Sequence, residues 1–243
     1  MTEQDIRRNQ QSKVTAPLPH REGQGGGSVP LPNRGGVGGR TVGGLVFSLL
    51  LAAALWFLMF FPGLGLGWNF WAVMTASSLL LTTLAICFGG WPQLRGQWQE
   101  VALGVGIAVV LWGVFWLGDK CSQWLFDFAR PQVDLIYGIK GGTSPTVIGL
   151  LLLLIIGPGE EIFWRGYVQR RLGERFSPDT GFFLATAAYT LIHVSSLNFM
   201  LVMAAMVCGI AWGGLYRLMP QHFTAIVLSH ALWDAAAFVW LPL

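Results

Sequence analysis

Residues 146–166 read Thr-Val-Ile-Gly-Leu-Leu-Leu-Leu-Leu-Ile-Ile-Gly-Pro-Gly-Glu-Glu-Ile-Phe-Trp-Arg-Gly. The apolar part is long enough to belong to a helix crossing a hydrocarbon core about 30 Å thick. Glu160, Glu161 and Arg165 then fall where a membrane helix should carry no charge, and such residues mark a functional site by default.

The whole chain agrees with a lipid environment. Its 243 residues are 53% hydrophobic and only 11% charged, with twelve tryptophans, which is the composition of an integral membrane protein. The net charge of +3 does not indicate nucleic acid, because the cations are scattered and form no basic face interleaved with aromatics. Cys87, Cys121 and Cys208 are odd in number and lack CxxC spacing, so neither a disulfide framework nor a thiolate metal site is expected.

Residues 1–41 are polar, then rich in glycine with Pro30 and Pro32, and are expected to form a disordered cytoplasmic tail. From 42 to 243 the chain reads as one all-α domain, a polytopic transmembrane bundle. Apolar runs at 42–61, 69–88, 99–117, 145–165, 180–198, 199–217 and 222–241 predict about seven spans. The break between the last two but one rests on a turn at Ser195, Ser196 and Asn198, with a re-entrant segment as the alternative. Segment 118–144 is expected to be mostly a solvated linker, with a short amphipathic helix at 122–128.

Charge gives the orientation. With the N-terminus inside, Arg7, Arg8, Lys13, Arg21, Arg34, Arg40, Arg95, Arg165, Arg170, Arg171, Arg175 and Arg217 are cytoplasmic. Only Lys120, Arg130 and Lys140 fall outside. The expectation is a multi-pass protein of the cell's inner membrane with a cytoplasmic N-terminus.

In the fourth run, Gly157-Pro158-Gly159 precedes the acids. Proline removes a backbone donor and the glycines loosen the turn, so a kink that admits water is expected. At about 100° per residue, Glu161 and Arg165 share a face and can pair, while Glu160 points away as a candidate free base. These residues alone are equally compatible with a structural cluster at a helix end. His193 lies one turn after Tyr189, and His230 one turn before Asp234, on two further helices. Three helices each placing a costly polar group in hydrocarbon point to a shared cavity, with carboxylates and imidazoles able to activate water and protonate a leaving group.

Taken in order, Glu160-Glu161-x-x-x-Arg165-Gly166, Tyr189-x-x-x-His193 and His230-x-x-x-Asp234 resemble the motifs of the CAAX protease and bacteriocin-processing enzyme family. That family comprises intramembrane endopeptidases and includes the type II CAAX prenyl endopeptidases. The resemblance spans about 145–240. It implies peptide-bond hydrolysis in the membrane, on a membrane-associated or lipidated protein or peptide. Glu160 would polarise water, and His193 would position that water or pass a proton. His230 and position 234 would stabilise the oxyanion, with Glu161 and Arg165 in support. Two residues depart from the family: Tyr189 stands where Phe is common, and Asp234 where Asn is common. An ionised Asp234 cannot donate to an oxyanion; Asp234 could instead orient His230, or be protonated in the low-dielectric site.

A carboxylate and two histidines are enough ligands for zinc, yet His-Glu-x-x-His is absent, and a metal-free glutamate mechanism is favoured. The competing readings are a non-proteolytic membrane scaffold or immunity protein, and a proton-coupled transporter. The transporter reading lacks the paired broken helix expected in the first half of the chain.

Overall fold

The computed structural model describes residues 37–64 and 67–243. Residues 1–36 of the expected tail lie outside the described residues, and 37–41 belong to the first helix, which begins at Val37 rather than at 42. The described residues are all-helical, without strands.

Eight helices follow one another: α1 Val37–Phe60, α2 Phe70–Gly89, α3 Trp98–Leu125, α4 Ala129–Gly138, α5 Pro145–Arg175, α6 Pro178–Ile192, α7 Phe199–Leu218 and α8 Phe223–Ala235. Their starts follow local chemistry. Asn69, Ser177 and Asn198 each cap a helix by accepting from a backbone N–H three residues on, at 2.9–3.1 Å. Pro145 and Pro178 occupy first-turn positions, where no N–H is needed.

Six of these segments, α4 and α6 excepted and α8 counted with its flanking turns, are long and apolar enough to cross a membrane. The chain is a multi-pass membrane protein. The fifth predicted span is the exception: α6 has 15 residues, about 22 Å of helix, extended by a 3-10 turn at His193–Ser196. Its ends nevertheless lie at opposite ends of the bundle. Gly181 packs against Gly173 at the end of α5, whereas Asn198, just past the turn, donates to the Gln132 carbonyl of α4 at 2.8 Å. The turn itself carries Leu197 at φ 53° and is held by Ser196 donating to the His193 carbonyl at 2.7 Å.

Segment 118–144 is not a linker. α3 runs to Leu125, and α4 forms seven residues later than the helix expected at 122–128. Residues 126–128 separate the two helices because Phe126 adopts extended dihedrals. Gln132 of α4 then fastens the start of α7, accepting from Met200 N at 3.0 Å.

α5 and α8 form the interior. Half of each span is buried, against 17–28% of the other four, whose outward apolar residues suit lipid. Glu160 lies fifteen residues from either end of α5, and His230 ten from either end of the segment Pro220–Trp240. Both therefore sit at mid-depth. α5 continues ten residues past Arg165, which is buried rather than part of a cytoplasmic loop and contributes nothing to orientation. Arg170 and Arg171 at the end of α5 donate to the Gly89 and Phe88 carbonyls at the end of α2.

Candidate active site

The helix bearing the two acids is widened rather than broken. Leu152–Ile156 and Ile162–Gln169 are π-helical on either side of a short α-helical piece, Gly157–Glu161, whose residues keep right-handed helical dihedrals. Gly157 N donates to the Leu152 carbonyl, five residues back. This longer pairing accommodates Pro158, which has no N–H to give, and π-helical turns of this kind are frequent at functional sites.

The two glycines serve close approach more than looseness. A Cβ on Gly157 would stand 2.7 Å from Ala231 Cα of α8, and one on Gly159 would stand 2.8 Å from Thr82 Oγ1 of α2. Bare backbone at Gly157 brings α5 against α8 one residue after His230.

Glu161 joins three helices. Its Oε1 accepts from Arg165 Nη1 at 2.8 Å and from His230 Nδ1 at 2.6 Å, and its side chain is fully buried. The arginine also donates to the Cys208 carbonyl of α7 at 3.1 Å and lies over the Tyr189 ring. His230 stacks on Trp212, ring centres 3.8 Å apart and planes 13° apart, and the Trp212 N–H is fixed by Ser229 Oγ at 3.0 Å. The second ring nitrogen of His230 is 3.5 Å from Asp234 Oδ2, an ion-pair distance beyond the usual hydrogen-bond range.

Glu160 belongs to a different set of contacts. Its Oε2 accepts from the Tyr189 hydroxyl at 2.9 Å. His193 uses both ring nitrogens elsewhere: Nδ1 lies 2.7 Å from the Tyr189 carbonyl and Nε2 lies 3.1 Å from the Trp56 indole nitrogen. A carbonyl only accepts and an indole N–H only donates, so His193 is the neutral tautomer with its proton on Nδ1.

Glu160, Tyr189, His193, His230 and Asp234 all line one cavity of about 450 Å³, whose remaining walls are mostly aromatic and aliphatic. Glu161 and Arg165 stand behind that wall. Glu161 pairs with Arg165 and lies against His230, and Asp234 lies 3.5 Å from His230, whereas Glu160, which also faces the cavity, makes no ion pair among the described residues.

Zinc needs three or more ligand atoms converging at about 2.0–2.2 Å. The Nε2 lone pair of His193 is taken by Trp56, whereas Glu161 engages only Nδ1 of His230 and leaves its Nε2 without a short hydrogen bond. Among the described residues no three His, Cys, Asp or Glu side chains are grouped as metal ligands.

Sequence reasoning missed Trp56 and Trp212. Neither carries a local signal, since their partners lie on other helices and tryptophan is frequent throughout this chain. The Tyr189 hydroxyl was visible as a departure from phenylalanine, and its partner was not. Ala205, Gly209 and Gly213 recur every four residues along α7 and form a packing surface, because Cβ atoms at the two glycines would touch Thr186 at 3.0 and 3.2 Å.

No curated protein and no solved structure matches the chain. A family model does match: residues 142–236 fit the Type II CAAX prenyl endopeptidase Rce1-like family. The matched segment contains α5 to α8, and with them Glu160, Glu161, Arg165, Tyr189, His193, His230 and Asp234, whereas Trp56 of α1 lies outside it. The segment 142–236 is thus similar to the Type II CAAX prenyl endopeptidase Rce1-like family, in agreement with the resemblance carried by its three motifs.

Proposed function

We propose that the chain is an intramembrane endopeptidase of the glutamate type, cutting a membrane-associated protein or peptide, with its N-terminus cytoplasmic. The observation that carries this is the mid-depth carboxylate of Glu160. It faces the cavity, carries no counter-charge and is oriented by the Tyr189 hydroxyl. In this mechanism Glu160 removes a proton from water, and the oxygen attacks the scissile carbonyl carbon. Glu160 then returns the proton to the leaving amine as the C–N bond breaks. His193 carries no proton in this mechanism, because its N–H is given to the Tyr189 carbonyl and its only lone pair accepts from Trp56; it holds the helix that presents the Tyr189 hydroxyl to Glu160.

His230 is the oxyanion donor in this reading. Glu161 and Trp212 fix its ring, and the long contact to Asp234 leaves the Nε2–H without a short acceptor and open to a developing charge. Asp234 acts as an acceptor in this reading and does not itself donate.

Comparing the termini of membrane proteins between cells carrying the intact chain and cells carrying Glu160→Gln tests the proposal. New termini are expected only with the intact chain, and identical terminal profiles would overturn it. Two further outcomes follow. Tyr189→Phe, which removes the donor to Glu160, is expected to lower kcat/KM about tenfold without altering the thermal midpoint. Activity of the purified protein is expected to persist after dialysis against EDTA and 1,10-phenanthroline. Stoichiometric zinc by elemental analysis, with activity lost on chelation and restored by zinc, would refute the metal-free mechanism.

A further inference from the structure

α1 lies outside the matched segment, yet it supports the hydrolytic cluster from behind. Trp56 is 1% exposed and is not part of the cavity wall; its indole N–H reaches His193, which is. Phe60, one turn further along α1, lies against the same imidazole with ring centres 5.9 Å apart. The indole N–H groups of Trp71, Trp164 and Trp233 are buried without a partner among the described residues, so a tryptophan in this bundle does not pair by default.

The backbone explains what the other ring nitrogen does. At the end of α6 the His193 backbone N–H turns to the Thr190 carbonyl, three residues back, as the helix tightens into its 3-10 turn. The Tyr189 carbonyl, four residues back, is met by the imidazole Nδ1 at 2.7 Å. This contact places the proton of a neutral His193 on Nδ1 and its lone pair on Nε2. Trp56 fills that lone pair at 3.1 Å. While the indole N–H occupies it, the ring has no site for a second proton.

The consequence is one of charge. The ionisable groups that line the cavity with His193 are Asp119 of α3, Tyr137 of α4, Glu160 of α5, Tyr189 of α6, Cys208 of α7, and His230 and Asp234 of α8; α1 and α2 supply none among the described residues. Glu160 and His193 both bond to Tyr189, one at its hydroxyl and the other at its carbonyl. A cation on His193 would arise in the cavity that holds Glu160, and a nearby cation makes a carboxylate a weaker base.

We infer that Trp56 is a positioning residue of the hydrolytic site: by filling the Nε2 lone pair of His193 it keeps that imidazole neutral and in one tautomer while Glu160 works as the base. The inference rests on the endopeptidase reading of the same cavity.

The test uses the full chain in lipid bilayers, with isotope-labelled histidine ring nitrogens observed by NMR and the His193 signals identified by their loss in His193→Gln. In the intact chain His193 is expected to hold its proton on Nδ1 and to stay neutral from about pH 8 to about pH 5, the range over which a free imidazole titrates. In Trp56→Phe, which removes the donor and keeps an aromatic ring, the Nε2–H tautomer and the protonated form are expected to appear over that range. Cleavage is followed on a fluorescent Leu/Ala-rich transmembrane peptide in the same bilayers. The loss of rate in Trp56→Phe is expected to be about tenfold greater at about pH 5.5 than at about pH 8. In a His193→Gln background the same substitution should cost equally at both pH values, because the group that gains the proton is absent.

A loss in Trp56→Phe that is the same at both pH values, or His193 signals unchanged by it, would overturn the assignment. So would a protonated or Nε2–H His193 in the intact chain, a measurement that needs no variant to fold. Continued cleavage by Glu160→Gln would instead overturn the endopeptidase reading. The His193 signals require no cleavage, so the two failures are distinguishable.

Discussion

Glu160→Gln in the purified chain is expected to lower the rate of peptide cleavage about a thousandfold, the scale on which a general acid–base contributes. The exchange is nearly isosteric. The amide oxygen can still accept from the Tyr189 hydroxyl, so the hydrogen bond of 2.9 Å has a replacement, whereas the basic lone pair that takes the proton from water is gone. The neighbouring pair of Glu161 with Arg165 stands behind the cavity wall and is untouched. Because the substitution deletes a buried charge with no counter-charge, the thermal midpoint should stay level or rise, which intrinsic tryptophan fluorescence would report. Cleavage at the rate of the intact chain would end the assignment of Glu160. A folded, inactive protein is the expected combination, and it separates chemistry from stability at this position.

Much of this arrangement could be read from the sequence because hydrocarbon makes local rules strict. Apolar runs announce helices, and the cost of Glu160, His193 and His230 in lipid already required them to converge. The limits were equally physical. Arg165 looked like a helix end because a cation inside a membrane helix is unfavourable, and only its pairing with Glu161 inside the bundle lets α5 continue to Arg175. Gly157-Pro158-Gly159 looked like a flexible kink, since local sequence records the missing N–H but not the approach of α8 and α2. The short α6 was read as a full span from its hydropathy. Its last turn is 3-10, closed by Ser196 on the His193 carbonyl and by Asn198 on the carbonyl of Gln132, which is distant in sequence. The Trp56–His193 bond, across 137 residues, left no local trace at all.

Glu161→Ala is the substitution expected to damage the fold most, by about 3–5 kcal/mol, because it removes one partner from a buried ion pair and leaves the other charge behind. Arg165 would keep only the Cys208 carbonyl, and His230 would lose its shortest contact, both buried in the interior of the bundle. The physical cause lies in the uncompensated charge rather than in lost packing volume. Glu161→Leu combined with Arg165→Met should therefore recover most of the stability, as a hydrophobic replacement of a buried pair commonly does. It should not recover cleavage, because His230 would no longer be held at Nδ1 and the proposed oxyanion donor would lose its orientation. Thermal midpoints and monodispersity in detergent read the first effect, and liposome cleavage reads the second. A Glu161→Ala protein as stable as the intact chain would show that the pair does not anchor the bundle. A double variant both stable and fully active would show that His230 needs no fixed orientation, and would remove it from the mechanism.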